Sequence, residues 1–222
     1  MRLTLLLRLA GPMQSWGTQS RFSIRDTGLE PSKSGVFGLL CAALGVPRDD
    51  EATLLRLRES LVMGVRVDRE GVMKKDFHTA KDVAKASGSG TKDTEISDRW
   101  YLADADFLVG LESEDIELLR WINERLASPV WQIFLGRKSF VPGKPVRMLD
   151  TPLECSLLDA LKSFEWKTDR SEAAPERLRL VIDATPETAT EVRQDMPLSF
   201  ANRRFTIRHV LTDFIPQPKG DK

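Results

Sequence analysis

Histidine, cysteine and tyrosine are scarce in this sequence, which holds two, two and one of them among its 222 residues. His78, His209, Cys41 and Cys155 are too few and too widely spaced to build a zinc cluster from Cys and His alone. The phosphate-binding pattern GxxxxGKS/T, the dinucleotide-binding pattern GxGxxG and the zinc-protease pattern HExxH are absent as well. We therefore expect no metal ion and no organic cofactor.

Long apolar runs are also lacking. The strongly apolar stretches LTLLL and FGLLCAALG are far shorter than the roughly 20 residues that a membrane-spanning helix needs. We expect no secretion signal at Met1-Arg2-Leu3. Both cysteines fall in predicted helices and fit buried free thiols in a reducing compartment. We expect a cytoplasmic protein that does not associate with membranes.

The formal net charge is zero, but the charges are segregated along the chain. Residues 136–146 and 199–211 each carry three basic residues and no acid, whereas residues 150–195 carry eleven acidic residues against six basic ones. Such segregation permits a basic face, which would attract phosphates, on a neutral protein. Charge blocks are as common on ordinary solvated surfaces, so both interpretations stay open.

The hydrophobic pattern predicts alternating strands and helices. Leucines at every second position indicate a first strand over Arg2–Leu9, and helical spacing indicates a helix over Ser34–Leu44, capped by Ser34 and ended by Gly45. The next predicted elements are strands Leu61–Asp68, Val72–Thr79 and Trp100–Glu112, a helix opened by Asp115, and a strand Val130–Leu135. This order predicts an α+β fold with a ferredoxin-like βαββαβ core.

An insertion separates the central strands. Residues 80–98, AKDVAKASGSGTKDTEISD, have almost no large apolar side chain, so we expect a mobile arm or hairpin tip there. Beyond residue 146 we expect a short helix over Leu153–Phe164, a strand over Arg177–Ala184 and a long strand over Phe200–Thr212. The last strand places Arg204, Thr206 and Arg208 on one basic face. Residues 147–222 are then a degenerate second half or, as we expect, a β-rich extension packed on a core of residues 1–146.

About twenty residues, from Gly11 to Lys33, separate the first strand from the first helix, where compact domains usually use roughly 4–6. This stretch ends in Pro31-Ser32-Lys33-Ser34-Gly35 at the predicted helix start, which offers unpaired N–H groups and a partial positive charge to a phosphate. Arg21 and Arg25 lie upstream. Together they favour phosphate binding over the alternative, a simple N-cap at Ser34.

A second candidate is LGRKSFVPG, residues 135–143, a glycine-bounded loop with Arg137, Lys138 and an internal Phe140. Basic residues hold a nucleic-acid backbone while an aromatic ring stacks on a splayed base, and a surface turn with incidental charges is the alternative. Trp16 fits no core pattern, so it stacks on a base, fills a partner's pocket or packs back on its own sheet. The other tryptophans, among them Trp131, fall within predicted elements and are expected in the core.

Cleavage of RNA is the alternative function. A metal-independent ribonuclease needs a general base, a general acid and a cation to stabilise the transition state. His78 beside Lys74 and Lys75, with Tyr101 across the arm, would contain these groups. A solvated histidine at a strand end is the simpler interpretation.

The ordered series LRLAGPMQSWG, SRFSIRDTGLEPSKSGVFGLLCAALGV, WYLADADFLVGLE and LGRKSFVPGKPV resembles the CasD family, the Cas5-type subunits of type I-E CRISPR Cascade surveillance complexes. The resemblance runs from Arg2 to about Val146 and extends more loosely through RRFTIRHVL. It implies a RAMP-type protein with an RRM-type RNA-binding core and an inserted thumb hairpin at about residues 78–99. It also implies a non-catalytic role, because a separate subunit cuts the precursor RNA in type I-E systems, whereas type I-C relatives cleave it with a Tyr, Lys and His group.

The resemblance further implies that the protein grips the 5′ repeat-derived handle of the CRISPR RNA (crRNA). Its protein partners would be the Cas7-type backbone subunit and the Cas8-type large subunit, with target DNA met only indirectly within the complex. The residues expected to bind RNA are Gln14, Ser15, Trp16, Gly17, Arg21, Arg25, Ser32, Lys33, Ser34, Gly35, Arg137, Lys138 and Ser139. The thumb lysines Lys81, Lys85 and Lys92 are further candidates, with a steric role of the thumb as the alternative.

Overall fold

A computed structural model describes residues 2–19, 23–85, 87–166 and 175–218. The four helices in these ranges are α1 (Lys33–Leu44), α2 (Glu51–Ser60), α3 (Ile116–Ala127) and α4 (Leu157–Ser163). The strands described are β1 (Leu3–Ala10), β2 (Met13–Gln14), β3 (Ile24–Arg25), β4 (Val62–Arg69), β5 (Val72–Ala84), β6 (Thr91–Ala103), β7 (Asp106–Ser113), β8 (Arg177–Asp183), β9 (Glu191–Ser199) and β10 (Arg204–Pro216). The predicted α+β class is confirmed.

Six strands form one antiparallel sheet in the order β1-β7-β4-β8-β10-β9. β7 runs antiparallel to both of its neighbours, so β1 and β4 are parallel, and α1 and α2 connect them. β8 pairs with β4 along Gly64–Val67. The strands that follow residue 147 therefore extend the sheet begun by the N-terminal half.

The predicted strand Val130–Leu135 is wrong, because this segment is irregular. The N–H groups of Val130 and Trp131 donate to the carbonyls of Ala43 and Ala42, each at 3.0 Å, and so satisfy the C-terminal end of α1.

Residues 146–153 lie along the outer edge of β1. Thr4 and Leu153 exchange N–H···O bonds of 2.9 and 2.8 Å, and the Arg8 N–H donates to the Val146 carbonyl at 2.9 Å. The connection that follows the irregular segment thus pairs with β1 at isolated points without forming a regular strand.

The leucines of β1 pack on both faces of the sheet. Leu5, Leu7 and Leu9 are fully buried on the face covered by α1, α2 and α3, while Leu6 is buried on the opposite face against α4. Gly64 and Gly110 pair directly on that second face. A Cβ atom at Gly110 would lie 2.5 Å from Leu157 Cδ1, so the two glycines let α4 approach the sheet closely.

The insertion is a two-stranded hairpin, which confirms the hairpin interpretation of the arm. β5 and β6 pair from Val72–Ala103 to Ala84–Thr91 and reach about 40 Å at the usual rise per residue. β2 and β3 add to the base of β6. The predicted single strand Trp100–Glu112 is in fact two strands, because Asp104 adopts a left-handed conformation (φ 59°) where the chain leaves the hairpin for the main sheet.

Cys41 is buried in α1, where burial raises the pKa of its thiol to about 12. Cys155 precedes α4 and is only partly buried, so its predicted burial within a helix is wrong. In the described ranges, no helix combines the length and the apolar character that crossing a membrane requires.

Gly110→Val should lower the free energy of unfolding by about 1–3 kcal/mol, because the added atoms overpack the contact between α4 and the sheet. Gly38→Ala is the matched control: in α1 the new Cβ meets nothing closer than Phe200 Cζ at 4.0 Å, and alanine favours the helix. Urea unfolding followed by circular dichroism measures both. Equal stability of Gly110→Val and the unmodified chain would contradict this packing.

Candidate nucleic-acid interface

The two stretches singled out in the sequence lie against each other. The Ser15 N–H donates to the Leu135 carbonyl at 3.1 Å. Gly136 has a φ of +93°, and a Cβ atom on it would lie 1.8 Å from the Ser15 carbonyl oxygen. Only glycine fits there, so the loop of residues 135–143, here called the basic loop, is docked on the connection that follows β1.

Gln14, Ser15 and Trp16, which were expected to bind RNA, are all buried. For Trp16 this agrees with the alternative that the ring packs back on its own structure. The Gln14 amide donates to the Leu9 and Ala105 carbonyls at 2.9 and 2.8 Å and accepts from Trp16 Nε1 at 3.2 Å. The Trp16 side chain is 2% exposed, and a Cβ atom at Gly35 would lie 2.8 Å from its ring. These side chains fix the shape of the connection, and Gly35 makes room for the indole. Gly17 is exposed.

The start of α1 differs from the prediction. Ser32, and not Ser34, is the N-cap, and its hydroxyl accepts from the Gly35 N–H at 3.3 Å. The Lys33 N–H donates to an Asp195 carboxylate oxygen at 2.8 Å. Asp195 therefore occupies the position at the helix N-terminus that the sequence suggested for a phosphate, while Ser34 and Gly35 remain partly exposed.

Lys33 is 2% exposed and belongs to a buried charge cluster with Asp183, Asp195 and Arg208. Its ammonium group contacts Asp183 at 2.5 Å and the Leu61 carbonyl at 3.0 Å, and burial lowers its pKa. Arg208 donates two hydrogen bonds to Asp195, at 2.8 and 2.7 Å, and a third to Asp183 at 2.7 Å. Lys33, which was expected to bind RNA, and Arg208, which was expected on a basic strand face, are instead neutralised inside the protein.

Ser34 and Gly35 line a groove of about 710 Å³, here called the basic groove. Gly136 and Lys138 of the basic loop form one side, and the turn between β9 and β10 forms another. The charged residues lining it are Arg48, Lys138 and Arg203, and the aromatic ones are Trp131, Phe134, Phe200 and Phe205. No acid lines this groove, and within the described part of the chain none of its three bases forms an ion pair. The groove offers positive charge and aromatic surface together.

Three residues predicted to bind RNA, Ser34, Gly35 and Lys138, line the basic groove, whereas the sequence did not single out Arg48, Arg203 or the groove aromatics. Arg203 belongs to the acid-free run 199–211, of whose bases only Arg204 and Arg208 were assigned to a strand face. Arg203 instead lies in the turn before β10, in a left-handed conformation with φ 50°. Arg48 is brought to the turn by a hydrogen bond from the Ala201 N–H to its carbonyl at 3.2 Å.

Arg25 and Arg137 belong to a second basic cluster, on the other side of the basic loop. Arg25 pairs with Arg99 across β3 and β6, and Arg137 donates to the Arg25 carbonyl at 3.3 Å. Burial, and then the charge of Arg99, lower the pKa of the Arg137 guanidinium. Its side chain also stacks on Phe140, 5.5 Å from the ring centroid.

The remaining predicted residues are dispersed. Ser139 is exposed in the basic loop, and Arg21 lies outside the described residues. Lys81, Lys85 and Lys92 are exposed on the hairpin, where Lys92 pairs with Glu95.

The side chains considered for RNA cleavage are only partly brought together. Lys74 and Tyr101 are cross-strand partners on the hairpin. His78 pairs with Ser97, four residues further along β5, or about 13 Å from Lys74 at the usual rise. A general base and a general acid must both reach one scissile phosphate through hydrogen bonds, and this spacing does not bring them together.

Asp195→Asn should lower the free energy of unfolding by about 3 kcal/mol or more at pH 7, because it removes one charge from a buried ion cluster. Burial alone would raise the pKa of Asp195, but the hydrogen bonds and charge of Arg208 outweigh burial and lower it. The stabilising contribution is therefore present above the ordinary aspartate pKa of about 4 and is lost as the pH falls through the lower folded-state value.

Urea unfolding of Asp195→Asn and of the unmodified chain between pH 7 and pH 3 measures the loss of stability. Asp49→Asn, at an exposed position, is the control. The difference between Asp195→Asn and the unmodified chain should narrow below pH 4. A difference that does not change with pH would contradict the assigned charge of Asp195.

The chain matches known CRISPR proteins in sequence and in structure. A family model described as CRISPR-associated protein (Cas_Cas5) matches residues 4–211. The CRISPR system Cascade subunit CasD of Escherichia coli (strain K12) is 38% identical over 151 residues, which are 63% of this chain and 67% of that protein.

Two solved structures share the fold over nearly the whole chain. One, titled crystal structure of Cas protein, is 39% identical with a TM-score of 0.76 and covers 98% of both chains. The other, a chain of a CRISPR RNA-guided surveillance complex, is 36% identical with a TM-score of 0.79 and covers 97% of this chain and 91% of its own. The agreement of family model, relative and structures places the protein: it belongs to the Cas5 family of CRISPR-associated proteins.

Proposed function

We propose that this protein is the crRNA-binding subunit of a type I-E Cascade complex and that it holds the 5′ repeat-derived handle of the crRNA. The basic groove is the observation that carries this proposal. Single-stranded RNA is bound by positive charge along its backbone and by aromatic rings beneath its bases. The groove supplies Arg48, Lys138 and Arg203 for the first task and aromatic side chains, among them Phe200, for the second.

The second basic cluster supports a longer RNA path. Arg25 and Arg137 lie on the hairpin side of the basic loop, while Lys138, the next residue, lines the groove on its other side. A bent strand crossing the basic loop would meet positive charge on both sides. Gln14, Ser15 and Trp16 then contribute by holding this loop in place, and Lys33 contributes by stabilising the fold through the buried charge cluster.

The strand order supports a ferredoxin-like origin for the core. β1, β7 and β4 take the relative order of the first three strands of a βαββαβ unit, with α1 and α2 in the first connection and α3 after β7. The hairpin of β5 and β6 stands at the position of the thumb. We propose residues 1–146 as the RNA-binding domain and residues 147–222 as its extension, which also contributes Phe200 and Arg203 to the groove.

We further propose that the subunit is non-catalytic, works in the cytoplasm, and contacts a Cas7-type backbone subunit and a Cas8-type large subunit, with target DNA reached only through the complex. The relatives, a Cascade subunit and a chain of an RNA-guided surveillance complex, support assembly with RNA and other subunits. The separation of His78 from Lys74 and Tyr101 supports the non-catalytic role.

Arg48→Ala, Lys138→Ala and Arg203→Ala should each weaken RNA binding about two- to fivefold, since each removes one exposed phosphate contact worth about 0.5–1 kcal/mol. The loss should be similar for all RNA sequences, and each variant should lower the slope of log K against log salt by about 0.7. Fluorescence anisotropy with labelled repeat RNA at several salt concentrations measures both quantities.

Lys162→Ala, an exposed base on α4 at the opposite face of the sheet, is the matched control and should change neither quantity. If the triple variant of the groove bases binds RNA as the unmodified chain does, with the same salt slope, the assignment of the basic groove fails.

Affinity purification of the tagged chain, coexpressed with the other subunits and a CRISPR array, should recover crRNA together with a Cas7-type and a Cas8-type protein. Incubating the isolated chain with labelled repeat RNA in the presence of a chelator should leave the RNA intact. Defined cleavage products that are absent with His78→Ala would contradict the non-catalytic role and favour the alternative function, a metal-independent endoribonuclease.

A further inference from the structure

Trp131 is an exposed aromatic side chain on a ridge between two grooves. Its side chain is 48% exposed. On one side it lines the basic groove, and on the other it lines a second groove of about 650 Å³ bounded by Pro129, Pro142 and Pro145, here called the proline groove. Gln132, its exposed neighbour, also lines both grooves. The two grooves therefore meet at these two residues.

The ridge is held in place by its backbone. The N–H groups of Val130 and Trp131 donate to two carbonyls at the C-terminal end of α1, each at 3.0 Å. The Val130 side chain packs on Gly45, where a Cβ atom would lie 2.8 Å from Val130 Cγ1. Since the backbone is fixed by these contacts, the indole is presented to solvent from a rigid position. Exposure of a large aromatic ring on a rigid support is typical of a preorganised contact residue.

The charge around the ridge identifies the chemistry of the ligand. Among the residues that the structure describes, no acid lines either groove, whereas Arg48, Lys138 and Arg203 line the basic groove and Lys144 lines the proline groove. A protein segment docking here would need acidic groups throughout to match these bases, whereas the phosphates of a nucleic acid match them at every nucleotide. An indole beside a row of phosphates is suited to the face of an unpaired base.

Resting on the proposed function, we infer that Trp131 stacks on one base of the bound single-stranded RNA where the strand crosses the ridge from the basic groove into the proline groove. The Gln132 amide, which both donates and accepts hydrogen bonds, lies beside that base and contacts its edge. Trp131 is thus a binding residue that positions a single nucleotide and marks where the RNA leaves the basic groove.

The test combines protein and RNA changes. Trp131→Ala should weaken binding of single-stranded repeat RNA about 5- to 150-fold, as loss of one base–aromatic stack does, while Trp131→Phe should retain most of the affinity. Neither variant should change the salt slope, because no charge is removed. Phe214→Ala, a site of equal exposure (48%) on β10 outside both grooves, is the matched control and should bind as the unmodified chain does.

A scan of RNAs with one abasic nucleotide each should locate the stacked base. At a single position, removing the base should weaken binding to the unmodified chain but not to Trp131→Ala, because the two changes remove the same contact. No such position, or unchanged affinity of Trp131→Ala, would overturn the inference.

The proposed function has a separate readout. If replacing Arg48, Lys138 and Arg203 lowers the affinity and the salt slope as predicted while Trp131→Ala has no effect, the inference alone fails. If replacing these three residues has no effect either, the proposed function fails with it. Weakened capture of partner subunits by Trp131→Ala, with RNA binding intact, would make the ridge a protein contact and would also overturn the inference.

Discussion

The architecture depends on four charges buried at the start of α1. Lys33 belongs to the N-terminal half of the chain, whereas Asp183, Asp195 and Arg208 come from β8, β9 and β10. A buried ion cluster is costly when one member is missing, so it strongly favours the one arrangement in which all four meet. That arrangement holds β9 against the start of α1. The turn that follows β9 then lies beside Gly38 and Arg48, where it closes one side of the basic groove.

The sequence predicted the secondary structure correctly where neighbouring residues alone determine it. Periodicity located β1, α1 and α3, and Asp115 was recognised as the N-cap of α3. The local rules failed where a distant residue supplies the partner. Ser34 resembles an N-cap residue as much as Ser32 does. The sequence around Lys33 gives no sign that its backbone N–H donates to Asp195, 162 residues away.

The two tryptophans illustrate the same limit at the candidate site. Trp16 is flanked by polar residues and glycine, yet its ring is buried because Gln14 accepts its N–H and Gly35 leaves space. Trp131 lies in an apolar run that resembles a strand, yet its backbone caps α1 and its ring is exposed. In both cases the exposure of the ring was decided by specific contacts, which composition and periodicity do not report. The basic groove, assembled from residues near 35, 48, 138 and 203, was out of reach for the same reason.

The segment along β1 also limits how the protein can assemble. Thr4 and Arg8 point their backbone groups away from β7, and residues 146–153 bond to both. An open strand at this edge would be a template for strand addition, by a neighbouring subunit or by another copy in an aggregate. With those hydrogen bonds already made within the chain, neighbours on this side must recognise side chains, so assembly there is governed by shape and charge and not by sheet extension.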